Sequence, residues 1–318
     1  MSVFDAIIGH RQVVDLLVGE LASPSQAYLF VGPSNVGKAS IARIFAAGLV
    51  GGADDDLARR ALEGVHPDLI VVAPEGRTSI TVDQARMVVS AAARSPLEAD
   101  TKVFLIEEAS LLNDEAANAL LKTIEEPIRS TRFVLVAESE DDLPPTVASR
   151  CRTVVFGRVP ESDIVEGLVR NGVDPDQAAR AARISGGRPG LAIALATEPE
   201  VAAFRDAWLG VPDELTGHPG DAYLAVRRVM TATEPLLAAV KRRQEEEIAM
   251  TYGDNVIPKM VTDKHQRELA RSSDALYVTG LELLASFYRD VAAAQFGAEV
   301  QNLPLIHISE PTRPNAPS

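Results

Sequence analysis

The sequence holds a single cysteine, Cys151, in 318 residues. One thiol permits neither an internal disulfide nor a cysteine-based metal site. There is also no run of about 18 apolar residues, so no membrane-spanning helix is expected. The opening decapeptide MSVFDAIIGH lacks a basic region followed by an apolar core, which argues against a secretory signal. Together these absences point to the cytoplasm. Positive charge is in deficit as well, with 31 Lys and Arg against 45 Asp and Glu, a net charge of −14. A surface this acidic repels the DNA backbone on average, so any DNA role needs a local patch or a partner. Solubility is the plainer account of the charge.

What is present is ordinary for a globular chain: 46% hydrophobic and 24% charged residues. The length suits two or three domains. Up to residue 157, short apolar runs alternate with helical patterns. The runs cover residues 27–31, 68–73, 103–106, 133–137 and 153–156. They lack strict polar alternation, as expected of strands buried on both faces. Strands interleaved with helices predict an α/β domain with a mostly parallel sheet. Gly157-Arg158-Val159-Pro160 reads as a linker, after which strand signals stop. Residues 158–200 read as a small helical domain, with a break at Gly186-Gly187-Arg188-Pro189-Gly190. Residues 201–302 are again helical in pattern, over 224–239, 265–270 and 274–296. The stretch 242–264 is more polar and reads as partly mobile. Residues 303–318 are proline-rich and aperiodic, and predict disorder. Within them LIHISEPTR resembles a translated sequencing adaptor, so this tail is expected to be non-native.

Gly32-Pro33-Ser34-Asn35-Val36-Gly37-Lys38 follows a predicted strand and opens a predicted helix. Glycines let backbone N–H groups wrap phosphate oxygens, the helix start adds positive potential, and Lys38 can reach the outer phosphates. A complete phosphate loop then needs Ser or Thr to set a hydroxyl on Mg²⁺. Ala39 stands there, and Ser40 points about 100° away on the helix. The alternative is a glycine turn with no ligand. A second signal is the apolar run ending in Glu107 and Glu108. P-loop ATPases place there an Asp for the Mg²⁺ shell and a Glu that positions water. Glu107 replaces that Asp, and its extra methylene moves the carboxylate by about 1.5 Å. Two solvated acids closing a strand remain the other reading.

Further stretches are more specific. They are Leu120-Leu121-Lys122-Thr123-Ile124-Glu125-Glu126-Pro127, the Leu143-Pro144-Pro145 segment running into Ser149-Arg150-Cys151, His66-Pro67-Asp68, and Phe4-Asp5-Ala6-Ile7-Ile8-Gly9. Together they resemble the AAA+ clamp-loader subunits of bacterial DNA polymerase III, delta-prime type, in an actinobacterial style. The likeness is strong to about residue 200 and weak from 201 to 302. It implies an AAA+ P-loop domain over 1–157, a helical lid over 158–200 and a helical collar over 201–302, the last including Phe287-Tyr288-Arg289-Asp290. It also implies that Arg150 is a finger reaching a neighbouring subunit's ATP.

Departures from the family pattern sharpen this expectation. Active subunits carry Thr at Ala39 and Asp at Glu107. Their sensor threonine falls at Ala137 or Glu138, and their second-sensor arginine at Gly190, with Arg188 displaced by two. The hydrolytic positions are altered while the finger survives, which fits a subunit that serves a neighbour rather than itself. ATP would then be bound weakly or not hydrolysed, with Mg²⁺ in doubt. The family's zinc module is missing its cysteines between residues 48 and 66, and His66 alone cannot build a tetrahedral site. The resemblance implies partners of the gamma/tau and delta types, with the sliding clamp and primer-template DNA met through the complex. Two competing readings are an active gamma/tau-type ATPase and a small-molecule P-loop kinase. The kinase has no use for Ser149-Arg150-Cys151.

Overall fold

The computed structural model describes residues 4, 7–33, 35–52, 54–74, 79–126, 130–252 and 259–296. Ser34 of the loop, Pro127 and the whole tail after residue 296 lie outside these. The described chain forms two compact units, residues 1–196 and residues 197–318.

In the first unit the apolar runs become β1 (Ala27–Val31), β2 (Leu69–Val72), β3 (Lys102–Ile106), β4 (Thr131–Val136) and β5 (Arg152–Val155). They form one sheet in the order β2-β3-β4-β1-β5, and every pairing is parallel. Parallel neighbours need crossovers, and helices supply them. Before β1 lies α1 (Arg11–Ala22). Then come α2 (Lys38–Gly51), α3 (Asp55–Leu62), α4 (Val82–Ala92), α5 (Asp114–Glu125) and α6 (Pro145–Ala148).

The absence of polar alternation in β1, β3 and β4 now has its cause. Side chains alternate between two apolar cores. Leu29 of β1, Phe104 and Ile106 of β3, and Phe133 and Leu135 of β4 pack with Val88 of α4 and Leu120 of α5. Tyr28, Phe30, Val103, Leu105 and Val134 point the other way, toward Leu17 of α1 and Phe45 of α2. Phe104 and Phe133, directly paired across β3 and β4, stack with centroids 5.3 Å apart.

Helix ends follow local chemistry. Thr81 caps α4 in a reciprocal box with Gln84, which donates onward to the Ala73 carbonyl at 2.7 Å. At the other end of α4, buried Lys102 donates to the carbonyls of Ala91, Arg94 and Ser95. Three acceptors satisfy the three donors of an ammonium that has left water. His66-Pro67-Asp68 has a comparable structural task. The fully buried Asp68 carboxylate accepts from the backbone N–H of Leu97 (2.7 Å), Glu98 (2.8 Å) and Ala99 (3.0 Å). Burial pushes its carboxyl up, but those donors and the nearby His66 hold it below its ordinary value. Asp68→Ala should therefore cost about 3 kcal/mol. A depressed carboxyl stabilises above its ordinary titration range and loses this contribution as pH falls through the lowered folded value. Thermal melts should show the wild-type advantage at neutral pH and its decline in acid. An advantage independent of pH would remove the charge from the explanation.

The unit continues with α7 (Glu161–Arg170), α8 (Pro175–Ser185) and α9 (Pro189–Thr197), packed around Ile164, Leu168, Ala178 and Ala182. Asp174 caps α8 and Pro175 starts it, while Gly186 (φ 57°) closes it in the left-handed region.

The second unit holds α10 (Pro199–Leu209), α11 (Val211–Glu214), α12 (Pro219–Tyr252) and α13 (Lys259–Gln295). Its core gathers Phe204, Trp208, Val229, Leu283 and Phe287. Gly280 of α13 lets Trp208 approach its backbone so closely that a Cβ there would sit 1.9 Å from the indole. Of the polar stretch 242–264, residues 253–258 lie outside the described residues, and the rest is helical. Both helices run into it, α12 to Tyr252 and α13 from Lys259. Lys241-Arg242-Arg243-Gln244-Glu245-Glu246-Glu247 consists of good helix formers, and an apolar-period reading overlooks their propensity.

Candidate functional site

With every strand parallel, the sheet has a carboxyl edge and an amino edge, and the functional candidates divide between them. Ligands of such sheets gather at the carboxyl edge. Gly32 leaves β1 there, Glu107 leaves β3, and Ala137 and Glu138 leave β4. The Gly32 N–H donates to the Glu138 carbonyl (3.0 Å), and the Ala137 N–H to the Phe30 carbonyl (2.9 Å). Ala137 and Glu138, the expected sensor position, therefore lie beside the start of the loop, and Glu107 leaves the same edge one strand further on.

The loop has the backbone its glycines predict. Gly32 (φ 147°), Asn35 (φ 62°) and Gly37 (φ 102°) turn the chain from β1 into α2. Asn is among the few residues other than glycine that tolerate the left-handed region. A Cβ on Gly32 would lie 2.2 Å from the Phe156 carbonyl oxygen. His10 Nε2 and the Val36 carbonyl oxygen are 2.9 Å apart, and the His10 ring meets Phe156 edge-on. That contact ties the segment before α1 to the loop.

Lys38 opens α2 with only 8% of its surface exposed. Its Nζ donates to the carbonyls of Gly32 (2.7 Å) and Pro33 (2.6 Å). Burial pushes its pKa down, while Glu138 and Asp142 pull it back up. The ammonium is thus inside the loop, where a phosphate would replace carbonyl contacts. Ala39 and Ser40 lie exposed on the next turn of the path.

Glu107 is bound by an arginine. Arg43 of α2 engages it through both Nε and Nη2, the latter 2.7 Å from Oε2. That hydrogen-bonded carboxylate also pushes the Arg43 pKa up. Residues 39 and 43 are one helical turn apart, so Arg43 stands on the face where the missing hydroxyl would be. The residues present fit a phosphate chain through the loop and Lys38. They fit a Mg²⁺ shell poorly, because the hydroxyl is absent and the first carboxylate carries a guanidinium. Glu108 is exposed beside it. Gly190, at the start of α9, has open space where a side chain would stand.

Arg150 is on the amino edge. It precedes β5, whose Arg152 pairs with Tyr28 of β1. The loop begins beyond the other end of β1. At about 3.3 Å per residue, Arg150 and the loop are separated by about 20 Å along the sheet. The Ser149-Arg150-Cys151 turn is anchored from within. Cys151 lies against the core and its Sγ donates to the Val147 carbonyl (3.4 Å). Burial pushes this thiol up to about 12, so it stays protonated. Ser149 donates to the Thr146 carbonyl (3.4 Å). Arg150 keeps 35% of its side chain exposed and donates from Nη1 to Thr146 O (2.8 Å) and from Nη2 to Glu125 Oε1 (2.9 Å).

A family model described as "DNA polymerase III, delta subunit" matches residues 9–160, the span that contains the loop, the acidic strand end and Arg150. The likeness is to the clamp-loader subunits of DNA polymerase III. It is 28% identical over 282 residues to subunit delta' of Bacillus subtilis (strain 168), covering 86% of this chain and 74% of that protein. It is 40% identical over 134 residues to subunit delta' of Escherichia coli (strain K12), but spans only 40% of that protein. Subunit tau of the same E. coli strain is 34% identical over 160 residues, 46% of this chain and 24% of tau. The likeness to the B. subtilis delta' subunit covers 86% of the chain, so it runs through the helical segments and not only the P-loop span.

Clamp-loader motifs explain the positions chosen from the sequence, but they did not disclose three contacts. Arg43 carries a local signal, its i,i+4 spacing from Ala39. Glu125 was visible only as part of a helix-end motif. His10 carried no signal, since its partner Val36 lies across a turn. Among the described residues, no helix is long and apolar enough to cross a membrane.

Proposed function

We propose that this chain is the stator of a clamp loader, one that lends Arg150 to the nucleotide of an adjacent ATPase subunit and does not fire a site of its own. The observation that carries this reading is the division of the sheet: Arg150 stands on the edge opposite its own loop, so any phosphate it meets belongs to another subunit. Ala39, the Glu107–Arg43 pair, Glu138 and Gly190 support the second half of the statement. On this reading residues 1–157 are the AAA+ P-loop domain, 158–200 the lid and 201–302 the collar. Gamma/tau-type and delta-type subunits are the direct partners. The sliding clamp and primer-template DNA are reached through the complex. Replacing Arg150 by Ala in the reconstituted complex tests the proposal, with ATP turnover as readout.

The loop itself accepts ATP weakly and without hydrolysis, through Gly32, Pro33, Ser34, Asn35, Val36, Gly37, Lys38, Ala39 and Ser40. Because no hydroxyl follows Lys38, calorimetric titration of the chain with ATP should give equal affinity with Mg²⁺ and with EDTA. Lys38→Ala should abolish the heat in both. Affinity that rises strongly with Mg²⁺ would contradict this account of Ala39 and Glu107.

An active gamma/tau-type ATPase is the second reading, favoured by the positive φ of Gly32, Asn35 and Gly37 and the likeness to tau. ATP turnover by the chain alone, lost on Lys38→Ala, would establish it.

A further inference from the structure

We infer that Glu125 is a positioning residue for Arg150, holding the guanidinium as an oriented donor before a neighbour's phosphate arrives. The inference rests on the finger reading above and adds a second residue to it. The contact links parts of the chain that are distant in sequence. Glu125 is the last residue of α5 and Arg150 follows α6, yet Glu125 Oε1 lies 2.9 Å from Arg150 Nη2.

Glu125 is mounted on a rigid element. The preceding residue, Ile124, is buried in the sheet core, as is Leu120 one turn back. Thr146 supplies a second fixed acceptor from the backbone of α6. Two acceptors on two packed helices orient a planar fork, which a free arginine on a flexible stem would have to find by chance. The contacts engage one donor from each Nη. A guanidinium has five N–H donors in fixed directions, so Nε and the second proton of each Nη remain for a phosphate. Glu125 can therefore orient the fork without being displaced by the phosphate. Its carboxylate also keeps the guanidinium from pairing with other acids on a chain of net charge −14.

The pair is half exposed, 35% for Arg150 and 51% for Glu125. Exposed pairs contribute little to folding, so a change here can be read in the complex without loss of the chain. The experiment uses the reconstituted clamp loader with wild-type chain, Glu125→Ala, Glu125→Gln, Arg150→Ala and the double variant Glu125→Ala/Arg150→Ala. Glu125→Ala should lower kcat for ATP by about fivefold or more, with KM little changed, because orientation and not binding is lost. Glu125→Gln retains an oxygen acceptor and should recover most of the rate. The double variant should be no slower than Arg150→Ala alone. A Glu125→Ala complex as fast as wild type, while Arg150→Ala is slow, overturns the inference and leaves the finger standing. A faster Glu125→Ala complex also overturns it, since the carboxylate would then be competing with phosphate. If Arg150→Ala itself runs at the wild-type rate, the finger reading falls and this inference with it.

Discussion

Arg150→Ala should lower ATP turnover of the reconstituted complex by about tenfold or more, without unfolding the chain. An arginine finger is worth about 10³–10⁵ in rate at the site it serves. A tenfold bulk loss requires that the sites of the complex fire together, since one independent, unaffected site would hold the loss to about twofold or less. The variant should remain folded because its ion pair to Glu125 is on the surface and worth about 0–1 kcal/mol. Cys151 and Val147 stay to anchor the turn. Arg150→Lys should be nearly as slow, because an ammonium lacks the planar fork that spans phosphate oxygens. Melting curves and co-elution with the partner subunits serve as controls. Wild-type turnover in a complex that contains the folded variant would end the finger assignment.

Gly32→Ala should be the most damaging single methyl group in the phosphate loop. Two costs add. At φ 147° an L side chain is strained, and the new Cβ would sit 2.2 Å from the Phe156 carbonyl oxygen. Backbone strain of this kind costs about 1–3 kcal/mol, and forcing an atom into a packed site about as much again. The Phe156 oxygen belongs to backbone just past β5, whose Val154 and Val155 are paired to β1, so it cannot swing aside as a side chain could. A total near 4 kcal/mol lowers the melting temperature of a unit of this size by about 10 °C. Gly37→Ala is the comparison. Its φ of 102° carries strain, but a Cβ meets nothing within 4 Å. The expected order in thermal melts is wild type, then Gly37→Ala, then Gly32→Ala. Equal losses at the two glycines would mean that the Phe156 contact contributes nothing.

The central strands β1, β3 and β4 were legible because burial on both faces leaves a plain mark, an apolar run without alternation, and the edge strands β2 and β5 kept apolar runs although Val71 and Val155 are exposed. Each predicted run lies within two residues of an observed strand. Thr131 and Lys102 were missed as strand residues because they are polar by composition. Both are buried with their polar atoms satisfied by the carbonyls of α4 and its exit turn. A hydropathy pattern cannot see a polar atom that has found a partner. The long helices of the second unit were under-read for the opposite reason, since charged helix formers carry propensity without apolar period.

Sequence alone determined which chemical groups this protein has and lacks. The loop carries its lysine, the following hydroxyl and the family's cysteines are missing, the strand ends in Glu rather than Asp, and the arginine of Ser149-Arg150-Cys151 is kept. Those are statements about residue type, and residue type is what a sequence records. Only the tertiary structure decided which groups meet. Glu107 is held by Arg43 from 64 positions away, and Arg150 is held by Glu125 from 25 positions away. Arg150 falls on the amino edge and Lys38 on the carboxyl edge because β5 runs parallel to β1 in register. An antiparallel pairing of the same two segments would have brought arginine and loop to one edge. The separation of Arg150 from the chain's own loop is therefore a consequence of strand direction, which no local pattern in the chain specifies.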